Sequence, residues 1–272
     1  MLVQRVCWLL NRQGIGYIMR QHQVYLKRLK DDLVEVSSTA KAEASRRYFP
    51  HGIHCIGATA ADIKLIIKTF HSDYPDLTPS EMLAITEYIL SHAEYSEEIL
   101  LAFGLINNFV KFNAKRQDNY RDDLLLRFEY WLEHYANNWS LVDDLCIKTI
   151  YQFLLSRPHL IKKTQHWAYS EVSWCRRASN VVWVKFIKRK MGKSTYYLDK
   201  SLVFNNCDLL LEDDDEFVQK SIGWLLKVTS VEHEKDVIAY IKKNYSRLTR
   251  PTLRYAIEKM DADIRKMLLT SK

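Results

Sequence analysis

Apolar residues recur every three or four positions through most of this chain, the spacing that places them on one face of an α-helix. Only 7 Gly and 5 Pro occur in 272 residues, too few for the tight turns of a many-stranded β protein. The pattern therefore predicts an all-α protein with short connections. The predicted helices span residues 17–35, 39–49, 58–68, 78–92, 96–112, 121–136, 139–156, 159–169, 172–190, 198–211, 215–229, 231–244 and 249–260.

The predicted helices form pairs that repeat along the chain. At intervals of about 34 to 44 residues, the second helices of successive pairs begin near Tyr95, Trp139, Trp174, Phe217 and Pro251. Each pair cannot bury its apolar face alone, but stacked pairs share one core. The repeat predicts a curved α-solenoid of HEAT-like repeats, with the second helices on its concave side. We expect the solenoid to form a single domain over residues 16–272, after an N-terminal extension at residues 1–15.

Composition and charge narrow the class of protein. A hydrophobic fraction of 47% is that of a globular chain and argues against disorder. The formal charge of +7 and the pI of about 9.0 permit an anionic partner such as nucleic acid. The first apolar stretch is broken by Gln4 and Arg5, and no apolar run reaches the length of a membrane span. We therefore expect a cytoplasmic protein without membrane contact.

The cysteines and histidines predict neither a disulfide framework nor a metal site. The number of cysteines is odd and no C-x-x-C occurs, which favours reduced thiols. His51, His54 and Cys55 are close in sequence, but no second cluster of ligands accompanies them. No metal or other cofactor is expected. The five cysteines are Cys7, Cys55, Cys146, Cys175 and Cys207.

A tryptophan and a carboxylate stand one turn apart at the middle of the chain. Trp139 and Asp143 are four residues apart, so a helix places both on one face. The surrounding run is rich in Leu and Ile. A helix face that served only for core packing would rarely carry a carboxylate one turn from a tryptophan. Considered alone, the pair is explained more simply by a core tryptophan and a solvated acid.

The next second helix carries Arg176 and Arg177 beside an aromatic residue. A guanidinium offers a planar fork of donors that suits phosphate. Adjacent residues point about 100° apart on a helix, so only one arginine would face the concave side. The other would be solvated or salt-bridged.

Two basic groups are candidates for phosphate contact. The first group, at residues 185–193, is expected at the C-terminus of a helix. There the basic side chains could contact phosphate or, alternatively, cap the helix dipole. The second group, at residues 242–254, lies nearer the end of the chain. A solvated helix face would explain its basic residues equally well. The candidate phosphate contacts are Arg176, Lys185, Lys188, Arg189, Lys190, Lys193, Lys243, Arg247 and Arg250.

Gly223 precedes Trp224 inside a predicted helix. Glycine in a helix costs about 1 kcal/mol relative to alanine, so its presence predicts the close approach of another backbone. Trp224 either fills the core or stands at an open groove beside this small residue.

Four segments together resemble the AlkD-type DNA alkylation repair enzymes, a family of HEAT-like repeat glycosylases. The likeness extends over roughly residues 40–270. In chain order, the segments are W-S-L-V-D at 139–143, W-C-R-R-A at 174–178, V-Q-K-S-I-G-W-L-L at 218–226 and R-P-T-L-R-Y-A-I-E-K-M at 250–260.

The resemblance implies an enzyme that grips duplex DNA in a concave basic groove and hydrolyses the N-glycosidic bond of N3- or N7-alkylated purines. It implies that Asp143 is the catalytic carboxylate and that Trp139 and Trp224 contact the damaged nucleotide. Arg177 would hold the DNA backbone near the lesion. The expected partner is double-stranded DNA containing alkylated bases, without an obligate protein partner.

Three other functions remain open from the sequence. A relative without glycosylase activity would keep the fold and the DNA binding. A HEAT-type scaffold for a protein partner would have a neutral or acidic groove, and its binding would depend little on salt. An RNA-binding solenoid is disfavoured because the repeats show no recurring pair of base-reading residues.

Overall fold

The computed structural model describes residues 12–111 and 122–270, with side chains from residue 21 onward. Most of the N-terminal extension predicted for residues 1–15 lies outside them. The contacts divide the chain into two compact units, Met1–Phe109 and Val110–Lys272. Each unit is built from helices, and the predicted all-α class is confirmed. The single domain proposed for residues 16–272 stays a prediction.

Three helices of the first unit, α2, α3 and α4, begin with a side-chain N-cap. Thr78 caps α4, its side chain accepting from the backbone of Glu81, whose carboxylate accepts in return from the Thr78 backbone N–H. Pro79 occupies the first turn, so Thr78, Pro79 and Glu81 form a complete capping box at the start of α4. The helices are α1 (Arg12–Val36), α2 (Thr39–Arg46), α3 (Ala60–Asp73), α4 (Pro79–Ser91) and α5 (Ser96–Val110).

The second unit contains the remaining helices and one β-hairpin. Its core is rich in large aromatic side chains, among them the buried Trp131, Trp167 and Trp183. The elements are α6 (Leu124–His134), α7 (Trp139–Asp144), a π-helix (Leu145–Ile150), α8 (Tyr151–Leu155), α9 (Pro158–Ile161), a 3₁₀-helix (Lys162–Tyr169), α10 (Ser173–Val181), β1 (Lys188–Met191), β2 (Ser194–Tyr197), α11 (Lys200–Leu210), α12 (Glu216–Lys243), α13 (Arg250–Ala256) and α14 (Ala262–Thr270).

The helix predicted over residues 172–190 is wrong in its second half. Helix α10 ends at Val181, and β1 pairs with β2 as an antiparallel hairpin. Gly192, with a φ of 60°, supplies the turn that connects the strands. The strand S-T-Y-Y at 194–197 has the Thr and Tyr residues that favour pleated backbone. Lys188, Arg189 and Lys190 therefore belong to a strand, and capping of a helix dipole does not explain them.

The helices predicted over residues 215–229 and 231–244 form one element, α12. A kink separates its two parts at His233, which has non-helical φ and ψ values of −135° and 46°. The connection that the sequence predicts near residue 230 is thus a local bend in a continuous helical run.

Gly223 allows α12 and α13 to approach closely, as the sequence predicts. A Cβ atom at Gly223 would lie 2.9 Å from the carbonyl oxygen of Thr252 and 2.9 Å from the Cβ of Tyr255. Neither atom can move by a rotation of its side chain. The two helices would therefore have to separate around a larger residue.

We expect Gly223→Ala to lower the free energy of unfolding by about 1–2 kcal/mol, because the overpacking outweighs the gain in helix propensity. Gly104→Ala is the control, since its new methyl would meet the flexible tip of Ile67. Thermal or urea unfolding of both variants tests this. A Gly223→Ala protein as stable as the wild type would show that the contact adapts freely.

Candidate active site around Asp143

Asn138 determines where α7 begins and hence where Trp139 and Asp143 point. The Oδ1 of Asn138 accepts hydrogen bonds from the backbone N–H groups of Ser140, at 3.0 Å, and Leu141, at 3.1 Å. This cap satisfies two donors of the first turn. Trp139 and Asp143 follow on one side of the helix, one turn apart. Both are partly buried.

Asp143 and Arg177 form a bidentate ion pair between α7 and α10. The guanidinium donates from Nε to Oδ1 at 3.0 Å and from Nη2 to Oδ2 at 2.9 Å. Its Nη1 donates to the carbonyl oxygen of Phe217 at 2.6 Å, at the start of α12. The side chains of Asp143 and Arg177 are only 16% and 6% exposed. Arg177 therefore orients the carboxylate by joining three helices.

Burial and the ion pair act on Asp143 in opposite directions. Burial raises the pKa of Asp143, and the charge and hydrogen bonds of Arg177 oppose that rise. Removing Arg177 would therefore raise the pKa of Asp143 further.

Partly buried aromatic side chains accompany the ion pair. Trp174 lies one turn before Arg177 on α10, and its ring centroid is 5.3 Å from that of Phe217. Trp224 lies seven residues after Phe217, so both fall on the same side of α12. No role was predicted for Trp174 or Phe217 from the sequence. The available signal was the aromatic residue that stands at the start of four of the five second helices.

Arg176 is engaged by the acidic turn before α12. Its Nε donates to Asp213 Oδ2 at 2.6 Å, and its Nη1 donates to the carbonyl oxygens of Ser170 and Glu171. Asp215 in the same turn caps α12 by accepting from the N–H of Phe217. The acidic stretch at 212–216 thus anchors α10 and begins α12. Both arginines of the pair are therefore salt-bridged, Arg176 to Asp213 and Arg177 to Asp143.

The other basic residues predicted to contact DNA lie outside the Asp143 cluster. All are exposed, and several already have protein partners. Lys188 pairs with Glu232 and Arg247 with Glu212, each within 3 Å. Arg250 donates to the carbonyl oxygen of Leu269 at 2.8 Å. The remaining members are Lys185 and Arg189, which face Tyr151, and the exposed Lys190, Lys193 and Lys243.

Neither a metal site nor a membrane helix is found in the described part of the chain. No group of three or more His, Cys, Asp or Glu side chains there could hold a metal ion. No described helix is long and apolar enough to cross a membrane. Cys55, Cys146, Cys175 and Cys207 are buried free thiols, and Cys7 lies outside the described residues.

Comparisons with known proteins agree with this architecture. A family model described as DNA alkylation repair enzyme matches residues 29–260. A solved structure described as a predicted DNA alkylation repair enzyme from Enterococcus faecalis is 14% identical, with a TM-score of 0.69. The match covers 83% of this chain and 97% of that one.

A second solved structure is the Pseudomonas fluorescens alkylpurine DNA glycosylase AlkC bound to DNA containing an abasic site analog. It is 16% identical, with a TM-score of 0.53, and the match covers 90% of this chain and 65% of that one. No curated protein matches this chain by sequence. At these identities, the two structures show a shared fold.

Proposed function

We propose that this chain, which belongs to the DNA alkylation repair enzyme family, is a glycosylase of the AlkD type. Its reaction would be hydrolysis of the N-glycosidic bond of cationic N3- and N7-alkylated purines in duplex DNA. The observation that carries the proposal is the partly buried Asp143 carboxylate, which Arg177 holds by two hydrogen bonds. The DNA-bound AlkC neighbour supports DNA as the partner.

A single carboxylate suits the chemistry of cationic lesions. A purine alkylated at N3 or N7 already carries a positive charge and leaves without a strong general acid. Its departure leaves an oxocarbenium-like sugar. Asp143 would stabilise that charge and orient the attacking water. Because its carboxylate is prealigned by Arg177, little reorganisation is needed during bond cleavage.

Aromatic faces would favour the charged lesion over ordinary bases. A cation over a tryptophan ring gains about 0.5–2 kcal/mol, depending on how far it is desolvated. Trp139, one turn from Asp143, and Trp224 on α12 are the proposed contacts with the damaged nucleotide. Trp174 and Phe217 would form the adjoining wall next to Arg177.

The geometry changes the roles proposed for the arginine pair. Arg177 is almost fully buried and bonded to Asp143 and Phe217, so we assign it to positioning the carboxylate instead of holding the DNA backbone. Arg176 is assigned to anchoring the acidic turn through Asp213. We assign phosphate contacts to exposed cations in and just before the hairpin, and in and between α12 and α13. They are Lys185, Lys188, Arg189, Lys190, Lys193, Lys243, Arg247 and Arg250.

Release of 7-methylguanine from methylated duplex DNA tests the proposal. We expect the purified protein to release the free base, measured by chromatography, and to bind undamaged duplex with a steep dependence on salt. DNA binding without release would contradict the glycosylase and favour a relative that lacks the activity. Absence of both release and DNA binding would favour a protein-interaction scaffold.

A further inference from the structure

Two cations lie over the ring of Tyr151. Tyr151 is the first residue after the π-helix, which itself follows Asp143 and Asp144. The Nζ of Lys185 is 4.7 Å from the ring centroid, and the guanidinium carbon of Arg189 is 5.3 Å from it. Lys185 is held in place by a 2.8 Å hydrogen bond to the carbonyl oxygen of Ile147, inside the π-helix. Such π-helical segments occur frequently at functional sites.

The hydroxyl group of Tyr151 is a buried donor without a partner. Tyr151 is 4% exposed. Within residues 12–111 and 122–270, its hydroxyl makes no hydrogen bond. An unpaired buried hydroxyl is unfavourable, because it has lost its bonds to water. Burial raises the pKa of Tyr151, and the charge of Arg189 opposes the rise, so the group is a neutral O–H donor near that guanidinium.

The charges around Tyr151 are not balanced. Burial lowers the pKa of Lys185, and the like charges of Arg189 and Lys148 lower it further. Lys148 is paired with Asp144 on the preceding turn. Among the described residues, the three cations Lys148, Lys185 and Arg189 are thus accompanied by one paired carboxylate, Asp144. Repulsion of this kind is relieved when an anion binds.

We propose that Tyr151, Lys185 and Arg189 form a binding site for an oxyanion of the phosphate class, with Lys148 at its edge. Phosphate oxygens accept hydrogen bonds and do not donate them, so they match a hydroxyl, an ammonium and a guanidinium. The phosphate is either a backbone phosphodiester of DNA, in which case the site rests on the proposed function, or a free phosphate group. In both cases the anion binds beside the π-helix and not at the Asp143 carboxylate.

Tyr151→Phe in the full chain tests the site without changing its charge. Tyr169→Phe is the control, since Tyr169 is 70% exposed in the 3₁₀-helix. The first measurement is the affinity for undamaged duplex DNA by fluorescence anisotropy. The second is the rise in Tm on adding inorganic phosphate, compared with chloride at the same ionic strength. Neither requires base excision, so both remain informative if the glycosylase proposal fails.

For a DNA phosphate, we expect Tyr151→Phe to weaken duplex binding by about tenfold, because it removes a hydrogen bond to a charged group. Its Tm without phosphate should equal or exceed that of the wild type, since the orphan hydroxyl is gone. For a free phosphate, DNA affinity would stay the same and the phosphate-dependent rise in Tm would be lost. No change in either measurement, or equal losses in Tyr169→Phe, would overturn the site.

A double-mutant cycle with Arg189→Gln provides a second test. If Tyr151 and Arg189 hold the same anion, their effects on its binding are not additive. Additive effects would overturn the shared site, even where each variant alone weakens binding.

Discussion

Replacing Asp143 with asparagine is expected to slow release of 7-methylguanine by about 10²–10³-fold. The amide keeps the size of the carboxylate but carries no charge to stabilise the oxocarbenium-like sugar. Affinity for duplex DNA should stay the same or increase, because a negative charge close to the DNA is removed. Single-turnover excision and binding of undamaged duplex, measured on the same preparation, separate these two effects.

Asp144→Asn is a matched control for this variant. It removes the same charge one residue along the chain, but Asp144 is paired with Lys148 instead of Arg177. We expect its excision rate to remain within a few-fold of the wild type. Equal excision rates for Asp143→Asn and the wild type would contradict the proposed role of Asp143. Equal losses in both asparagine variants would point to a general effect of charge.

Replacing Arg177 with leucine is expected to impair both excision and stability. The change leaves a buried carboxylate without its partner, which typically costs about 3–5 kcal/mol. It also removes the charge that opposes the upward shift in the pKa of Asp143. The carboxylate then ionises at higher pH than in the wild type, so the acidic limb of the excision profile should move to higher pH. Arg177→Lys should recover part of the activity, because it keeps the charge but loses the fork.

The pH dependence of stability distinguishes this positioning role from simple packing. In Arg177→Leu, the pKa of Asp143 is higher in the folded state than in the unfolded state. The loss of stability should therefore be smallest at acidic pH and grow as pH rises through the folded-state pKa. Urea unfolding at several pH values measures it. A loss independent of pH, with an unmoved excision profile, would leave Arg177 only a packing role.

Arg176→Leu is the control for Arg177→Leu. It breaks the contact with Asp213 and should lower stability. Because Arg176 is not bonded to Asp143, the acidic limb of the excision profile should keep its position. A shift as large as that of Arg177→Leu would show that the acidic turn, and not the ion pair, controls the carboxylate.

Local signals determined most of the helices. The period of apolar residues and caps such as Thr78 act within one or two turns, so they can be read from neighbouring positions. Gly223 is also a local signal, because glycine is unfavourable inside a helix and its presence there predicts a close backbone contact. The predicted backbone contact is present at Thr252.

The hairpin at 188–197 could not be predicted from the sequence because its local signal is ambiguous. The stretch before it is rich in Val, aromatic residues and Lys, and such a short apolar run fits either a helix end or a strand. Pairing with β2 and the positive φ of Gly192 decide the outcome. Those contacts form only when the chain turns back on itself.

The spacing of apolar residues was sufficient to predict an all-α chain with Asp143 and Trp139 on one helical face. The contacts of the Asp143 carboxylate depend on tertiary packing. Its partner Arg177 lies 34 residues away, and the two arginines at 176 and 177 looked alike. Packing of α10 between α7 and α12 directs Arg177 to Asp143 and Arg176 to Asp213. A side-chain direction set by three helices has no signal within any one of them.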